Sequence, residues 1–74
     1  MSTDEKLIYM ANQIAGFFAA QGEHRAVAGI GDHLRKFWDP GMRNELLRLA
    51  REDDGRLNHL VRKALPLIEA PPGS

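Results

Sequence analysis

The centre of the chain carries the segment Phe37-Trp38-Asp39-Pro40-Gly41-Met42-Arg43, which contains the only tryptophan. Proline disfavours the α conformation in the residue before it, so a helix arriving from the N-terminal side has to end by Trp38. Asp39 can cap a following helix with its carboxylate, and Pro40 suits the first helical position because its missing N–H is not needed there. The segment therefore predicts a tight corner between two helices.

Two amphipathic helices are predicted on the N-terminal side of this corner. Helix 1 covers about residues 3–21, with a capping box at Ser2 and Glu5 and an end at Gly22, and helix 2 covers about residues 23–38. Gly29 and Gly31 inside helix 2 indicate either the close approach of another backbone or a loss of order. The apolar stripes comprise Leu7, Met10, Ala11, Ile14, Phe17 and Phe18 in helix 1, and Val27, Ile30, Leu34 and Phe37 in helix 2.

Two further helices are predicted on the C-terminal side. Helix 3 covers about residues 40–52 and ends at Asp53-Asp54-Gly55, and a short helix 4 covers about residues 57–65 and stops at Pro66. Residues 1–68 are expected to form one helical domain, followed by a disordered tail over residues 69–74. The predicted fold class is all-α, a small helical bundle of three main helices plus a short fourth.

The chain needs an additional source of stability, because the core of a 74-residue domain supplies little net stabilisation. The absence of cysteine excludes disulfides and iron–sulfur clusters held by this chain. The three histidines have no metal-ligand spacing, so no bound metal or other cofactor is expected. A partner remains, which is either another protein or, through self-association of the isolated chain, a second copy.

The charge balance excludes two classes of partner. Ten basic and ten acidic residues cancel, whereas a nucleic-acid or membrane-surface binder carries a basic excess. The apolar run at residues 14–20 is too short to span a membrane, and the acidic start of the chain lacks the features of a signal peptide. We therefore expect a cytoplasmic protein that binds neither nucleic acid nor membrane.

No catalytic constellation is present in the sequence. Its only Ser and Thr residues are Ser2, Thr3 and Ser74, all terminal, and there is no cysteine nucleophile. Gly29-x-Gly31 lacks the third glycine and the preceding strand of a dinucleotide-binding motif. The sequence therefore predicts a protein without catalytic residues.

Four residues are candidates for partner binding: Asn12, Phe18, Trp38 and Arg43. Asn12 is either part of a solvated helix face or a buried amide matched across an interface. Trp38 and Arg43 are of the types enriched in binding hot spots, although Trp38 could instead plug the core between helices 2 and 3. The aromatic and methionine side chains also exceed what one small core can bury, which favours an exposed apolar patch containing Phe18.

Two motifs give the chain a family resemblance. These are Met10-Ala11-Asn12-Gln13-Ile14-Ala15-x-Phe17-Phe18 and His33-Leu34-x-x-Phe37-Trp38-Asp39-Pro40-x-Met42-Arg43. Together they resemble the delta subunit of NAD-dependent, molybdenum-containing formate dehydrogenases over about residues 6–68. Gly41 departs from the larger, often basic residue expected between Pro40 and Met42.

The resemblance implies a small accessory subunit of a cytoplasmic complex that oxidises formate and reduces NAD. It implies that the partners are the catalytic alpha subunit and the diaphorase subunits, and that these carry bis-molybdopterin guanine dinucleotide, iron–sulfur clusters and FMN. The expected role is docking on the catalytic subunit to support assembly, stability and activity. The alternative is a maturation factor that assists loading or protection of the molybdenum cofactor.

Overall fold

The computed structural model describes residues 2–52 and 55–69, and it confirms the predicted all-α class. No strand occurs within these two ranges. Asp53, Asp54 and all of the predicted tail except Glu69 lie outside them. The helices are α1 (Thr3–Phe18), α2 (Glu23–Phe37), α3 (Pro40–Arg51) and α4 (His59–Ala64), with 3₁₀ turns at Ala19–Gln21 and Leu65–Leu67.

Local capping signals set the helix starts. The Ser2 hydroxyl accepts a 3.2 Å hydrogen bond from the backbone N–H of Glu5, and the Asp39 carboxylate accepts one of 2.8 Å from Met42. Both caps were predicted. Trp38 has extended backbone dihedrals and ends α2, so the predicted end is correct to within one residue.

The start of helix 4 was predicted two residues too early. The helix begins at His59, because the side chain of Asn58 accepts a 2.8 Å hydrogen bond from the N–H of Leu60 and acts as the cap. Leu57, predicted as the first helical residue, precedes this cap and is buried in the core.

The hydrophobic core lies around α2, which packs against α1 on one side and against α4 and the second 3₁₀ turn on another. Alanines occupy several buried positions, which lets the helix backbones approach closely. Ile8 is also buried, and α1 contacts α3 and α4 as well as α2. The largest fully buried side chains are Ile30, Leu34, Leu46 and Val61.

The two glycines of α2 make room for side chains, whereas the sequence had suggested the close approach of a backbone. A Cβ atom at Gly29 would lie 2.6 Å from ring atoms of Phe18, and one at Gly31 would lie 2.7 Å from Leu67. Gly29 lies against Phe18 of α1, whereas Gly31 lies against Leu67 of the C-terminal turn. Consequently α2 is held tightly between these two elements.

Candidate docking surfaces

Two surfaces remain candidates for contact with a partner: an aromatic surface on α1 and α2, and a groove between α3 and the C-terminal segment. The aromatic surface consists of Phe17, Phe18, His33 and Phe37. Phe17 and Phe37 are 75% and 72% exposed. These are the two highest values among the large hydrophobic side chains of the described residues, and such exposed apolar patches commonly mark binding sites.

Each ring of the aromatic surface packs against at least one neighbouring ring. Phe17 and Phe18 meet edge to face, with centroids 5.1 Å apart, and Phe18 lies 6.4 Å from His33. His33 and Phe37 are 4.7 Å apart at an interplanar angle of 41°. The four rings therefore form one continuous surface, with a hollow of about 220 Å³ lined by Ile14, Phe17, Phe18 and His33.

The three histidines have different surroundings. His33 packs between the rings of Phe18 and Phe37. The other two histidines are exposed, and His59 lies 3.9 Å from a carboxylate oxygen of Glu23. Among the described residues, no group of three or more side chains could hold a metal ion.

The second surface, which we call the arginine groove, runs along α3. It is formed by two hollows of about 610 and 470 Å³ that share Asn44 and Glu69. Apolar side chains from α3 and the C-terminal turn form much of its lining. Its basic residues are Arg35, Arg43, Arg51 and Arg62.

The predicted site residues divide between these surfaces and the interior. Phe18 is partly buried and belongs to the aromatic surface, whereas Arg43 is partly buried and lines the arginine groove. Trp38 is only 5% exposed, which agrees with its alternative as a core residue, and its contact with a partner remains a prediction. It packs in the cluster that contains Leu34 and Leu46.

Asn12 was predicted to contact the partner, with its amide either on a solvated helix face or matched across an interface. In the structure both of its polar atoms bond within the chain, and its contact with a partner remains a prediction. The Nδ2 atom donates to the carbonyl of Arg56 at 3.0 Å, and the Oδ1 atom accepts from the N–H of Asn58 at 2.8 Å. This satisfied amide joins α1 to the segment before α4.

Sequence reasoning missed several residues of both surfaces. Phe17 and Phe37 were placed on the apolar stripes but were not among the predicted contact residues. The stripe of α1 is wider than one contact face, since Phe17 lies roughly 120° around the helix from the buried Ala11 at 3.6 residues per turn. The breadth of the stripe could have indicated that Phe17 is exposed, whereas no sequence pattern singled out Arg35, Arg51 or Arg62 as surface residues of the groove.

Exposed aromatic and arginine side chains of this kind are enriched in protein–protein interfaces. A family model for the NADH-dependent formate dehydrogenase delta subunit, FdsD, matches residues 6–65. The chain therefore belongs to this family, as the two sequence motifs indicated. Comparisons with curated proteins and with solved structures gave no match. None of the described helices is long and apolar enough to cross a membrane.

Proposed function

We propose that the chain is a non-catalytic subunit that docks on the catalytic, molybdenum-containing subunit of a cytoplasmic formate dehydrogenase complex. In this role it supports the assembly, stability and activity of the complex. The redox cofactors belong to the partner subunits, and this chain carries none. Family membership supports the assignment to the complex.

The exposure of Phe17 and Phe37 is the observation that carries the docking role. Aromatic side chains bring a large contact area with few rotatable bonds, and they are enriched at the centres of protein interfaces. In this chain two such rings flank His33 and Phe18, so that a partner covering them would also close the hollow beside Ile14. Burial of this surface would supply the stabilisation that a small core lacks.

Co-expression tests the proposal. The full chain would be produced with the remaining subunits of the complex, one of which carries an affinity tag, and the purified complex would be assayed for stoichiometry and formate-dependent NAD reduction. We expect the chain to be retained and its omission to lower the yield or the activity of the complex. If the chain is absent from a complex that is fully active and stable without it, the proposed function is wrong.

A variant pair localises the contact to the aromatic surface. Phe17→Ser with Phe37→Ser removes the two most exposed rings and should reduce retention of the chain. Tyr9→Ser is the control, since Tyr9 is 54% exposed on the same helix as Phe17 and its ring does not pack on any of the four rings of the aromatic surface. Equal loss of retention in both variants would argue against the aromatic surface as the specific contact.

A further inference from the structure

The arginine groove combines an apolar lining with three arginines whose side chains have no partner. The side chains of Arg35, Arg43 and Arg51 form no hydrogen bond or ion pair within residues 2–52 and 55–69. Two cations outside the groove are, by contrast, closely paired. Arg48 contacts Asp4, Glu45 and Glu52, and Lys63 contacts Glu23 at 2.7 Å.

Arg43 shows the missing partner most directly. Its Nε atom is buried but has no hydrogen-bond acceptor. Buried donors are nearly always paired, because leaving one without an acceptor costs its full desolvation penalty. The backbone of Arg43 is fixed at the start of α3, where its N–H donates to the carbonyl of Asp39 at 3.0 Å. An acceptor on a bound partner would satisfy this donor without rearrangement of the helix.

The shape of the groove favours an extended partner over a small anion. Arg35 and Arg43 line one hollow, whereas Arg51 and Arg62 line the other, so the guanidinium groups are spread along α3. The twelve residues of α3 span roughly 18 Å at 1.5 Å per residue, a length suited to a peptide segment.

The apolar lining adds a second requirement. Residues of α3 and of the C-terminal turn lie between the arginines, and one of them, Leu67, is 45% exposed. A partner that fills the groove therefore needs apolar side chains as well as carboxylates. The apolar residues that line the groove are Pro40, Leu47, Ala50, Leu65, Leu67 and Ile68.

We infer that the arginine groove binds an acidic, partly apolar segment of another subunit of the formate dehydrogenase complex, an inference that rests on the proposed function. Carboxylates match guanidinium groups in a planar, two-bond geometry, which gives both strength and orientation. Residues 70–74 of the chain itself carry no acidic side chain.

The test measures binding of the full chain to the purified complex of the remaining subunits at several salt concentrations. Arg35→Glu with Arg51→Glu reverses two exposed charges of the groove, and circular dichroism checks that the variant is folded. The matched control is Lys6→Glu with Arg25→Glu, which makes the same charge change at exposed positions outside the groove. We expect the groove variant to bind at least about tenfold more weakly, with a reduced salt dependence, and the control to bind nearly as wild type.

Three outcomes would overturn the inference, and they are distinguishable. If the wild-type chain does not bind the other subunits at all, the proposed function fails and the groove assignment fails with it. If the wild-type chain binds and the groove variant has the same affinity and salt dependence, only the groove assignment fails. If GDP or inorganic phosphate displaces the wild-type chain from the complex while leaving the groove variant unaffected, the groove is a small-anion site instead. Arg43→Ala provides a second measurement, because it removes the buried Nε donor without introducing a negative charge.

Discussion

Asn12 and Asn58 are 46 positions apart in the sequence, yet the Oδ1 atom of Asn12 accepts a 2.8 Å hydrogen bond from the backbone N–H of Asn58. Asn58 in turn caps α4 through its own side chain, which accepts from Leu60. The same Asn12 amide donates to the carbonyl of Arg56. One side chain on α1 therefore fixes the backbone immediately before α4.

Substitution of Asn12 should destabilise the fold. Asn12→Ala leaves the Arg56 carbonyl and the Asn58 N–H without their partner, and we expect a loss of about 1–3 kcal/mol in the free energy of unfolding, measured with urea. Asn12→Asp keeps the acceptor for Asn58 but loses the donor to Arg56, so its loss should be smaller. Equal stability of wild type and Asn12→Ala would show that these bonds contribute nothing.

Removal of the cap at Asp39 should destabilise α3. Asp39→Ala removes the acceptor for the Met42 N–H, and we expect a loss of about 1 kcal/mol. Asp39→Asn retains an acceptor and is the control. Binding to the partner subunits should change only as far as stability does. A melting temperature that is unchanged by Asp39→Ala would contradict the capping role.

The features that could be predicted from the sequence are those encoded by neighbouring residues. The caps at Ser2 and Asp39 and the corner at Pro40 depend on residues within one turn of each other. The Asn58 cap has the same local character, but the apolar Leu57 before it fitted the helical period and concealed the boundary.

The candidate surfaces depended on contacts between distant segments, which the sequence does not display. Trp38 and Phe37 are adjacent and both aromatic, but one is buried and the other is 72% exposed. The difference arises from the position of α3 after the corner at Pro40. The arginine groove similarly exists only because the C-terminal turn packs beside α3, and no local pattern brings Arg35 and Arg51 to one side.

Two glycine substitutions should have opposite effects on stability. A Cβ atom at Gly16 would meet nothing within 4 Å, so Gly16→Ala should stabilise α1 by up to about 1 kcal/mol through helix propensity. The same change at Gly29 would place the new methyl group 2.6 Å from the Phe18 ring. We expect Gly29→Ala to destabilise the fold. It should also displace the ring of Phe18, which changed Phe18 resonances in NMR spectra would reveal. Stabilisation by both substitutions would contradict the tight packing of Phe18 on α2.

Stability should decline in acid partly through Glu23. A hydrogen bond from Lys63, together with the charge of Lys63, holds the pKa of Glu23 below its ordinary value of 4.5. Because the pKa is lower in the folded state, the contribution of this pair is complete above the ordinary value and is lost as the pH falls through the folded pKa. Glu23→Gln should be slightly less stable than wild type at neutral pH, since the pair is exposed, and the difference should vanish in strong acid. Urea titrations of wild type and Glu23→Gln from neutral pH to strong acid would test this prediction. A difference in unfolding free energy that is the same at every pH would show that ionisation of Glu23 does not contribute to stability.

The neighbouring aromatic residues Phe37 and Trp38 should separate binding from stability. Trp38 is buried among core residues, so Trp38→Ala should cost roughly 3–5 kcal/mol and unfold much of the population. Phe37 is exposed, so Phe37→Ala should change the free energy of unfolding by less than about 0.5 kcal/mol. If the aromatic surface is the contact, however, Phe37→Ala should weaken binding to the other subunits by roughly 2 kcal/mol, the range of a hot-spot residue. The conservative variant Trp38→Phe keeps an aromatic ring in the core and allows binding to be measured on a folded chain. If folded Trp38→Phe binds the other subunits nearly as tightly as wild type and Phe37→Ala binds weakly, the contact lies at Phe37. If Phe37→Ala binds as wild type and folded Trp38→Phe binds weakly, the contact lies at Trp38, which would contradict the exposed aromatic surface as the binding site.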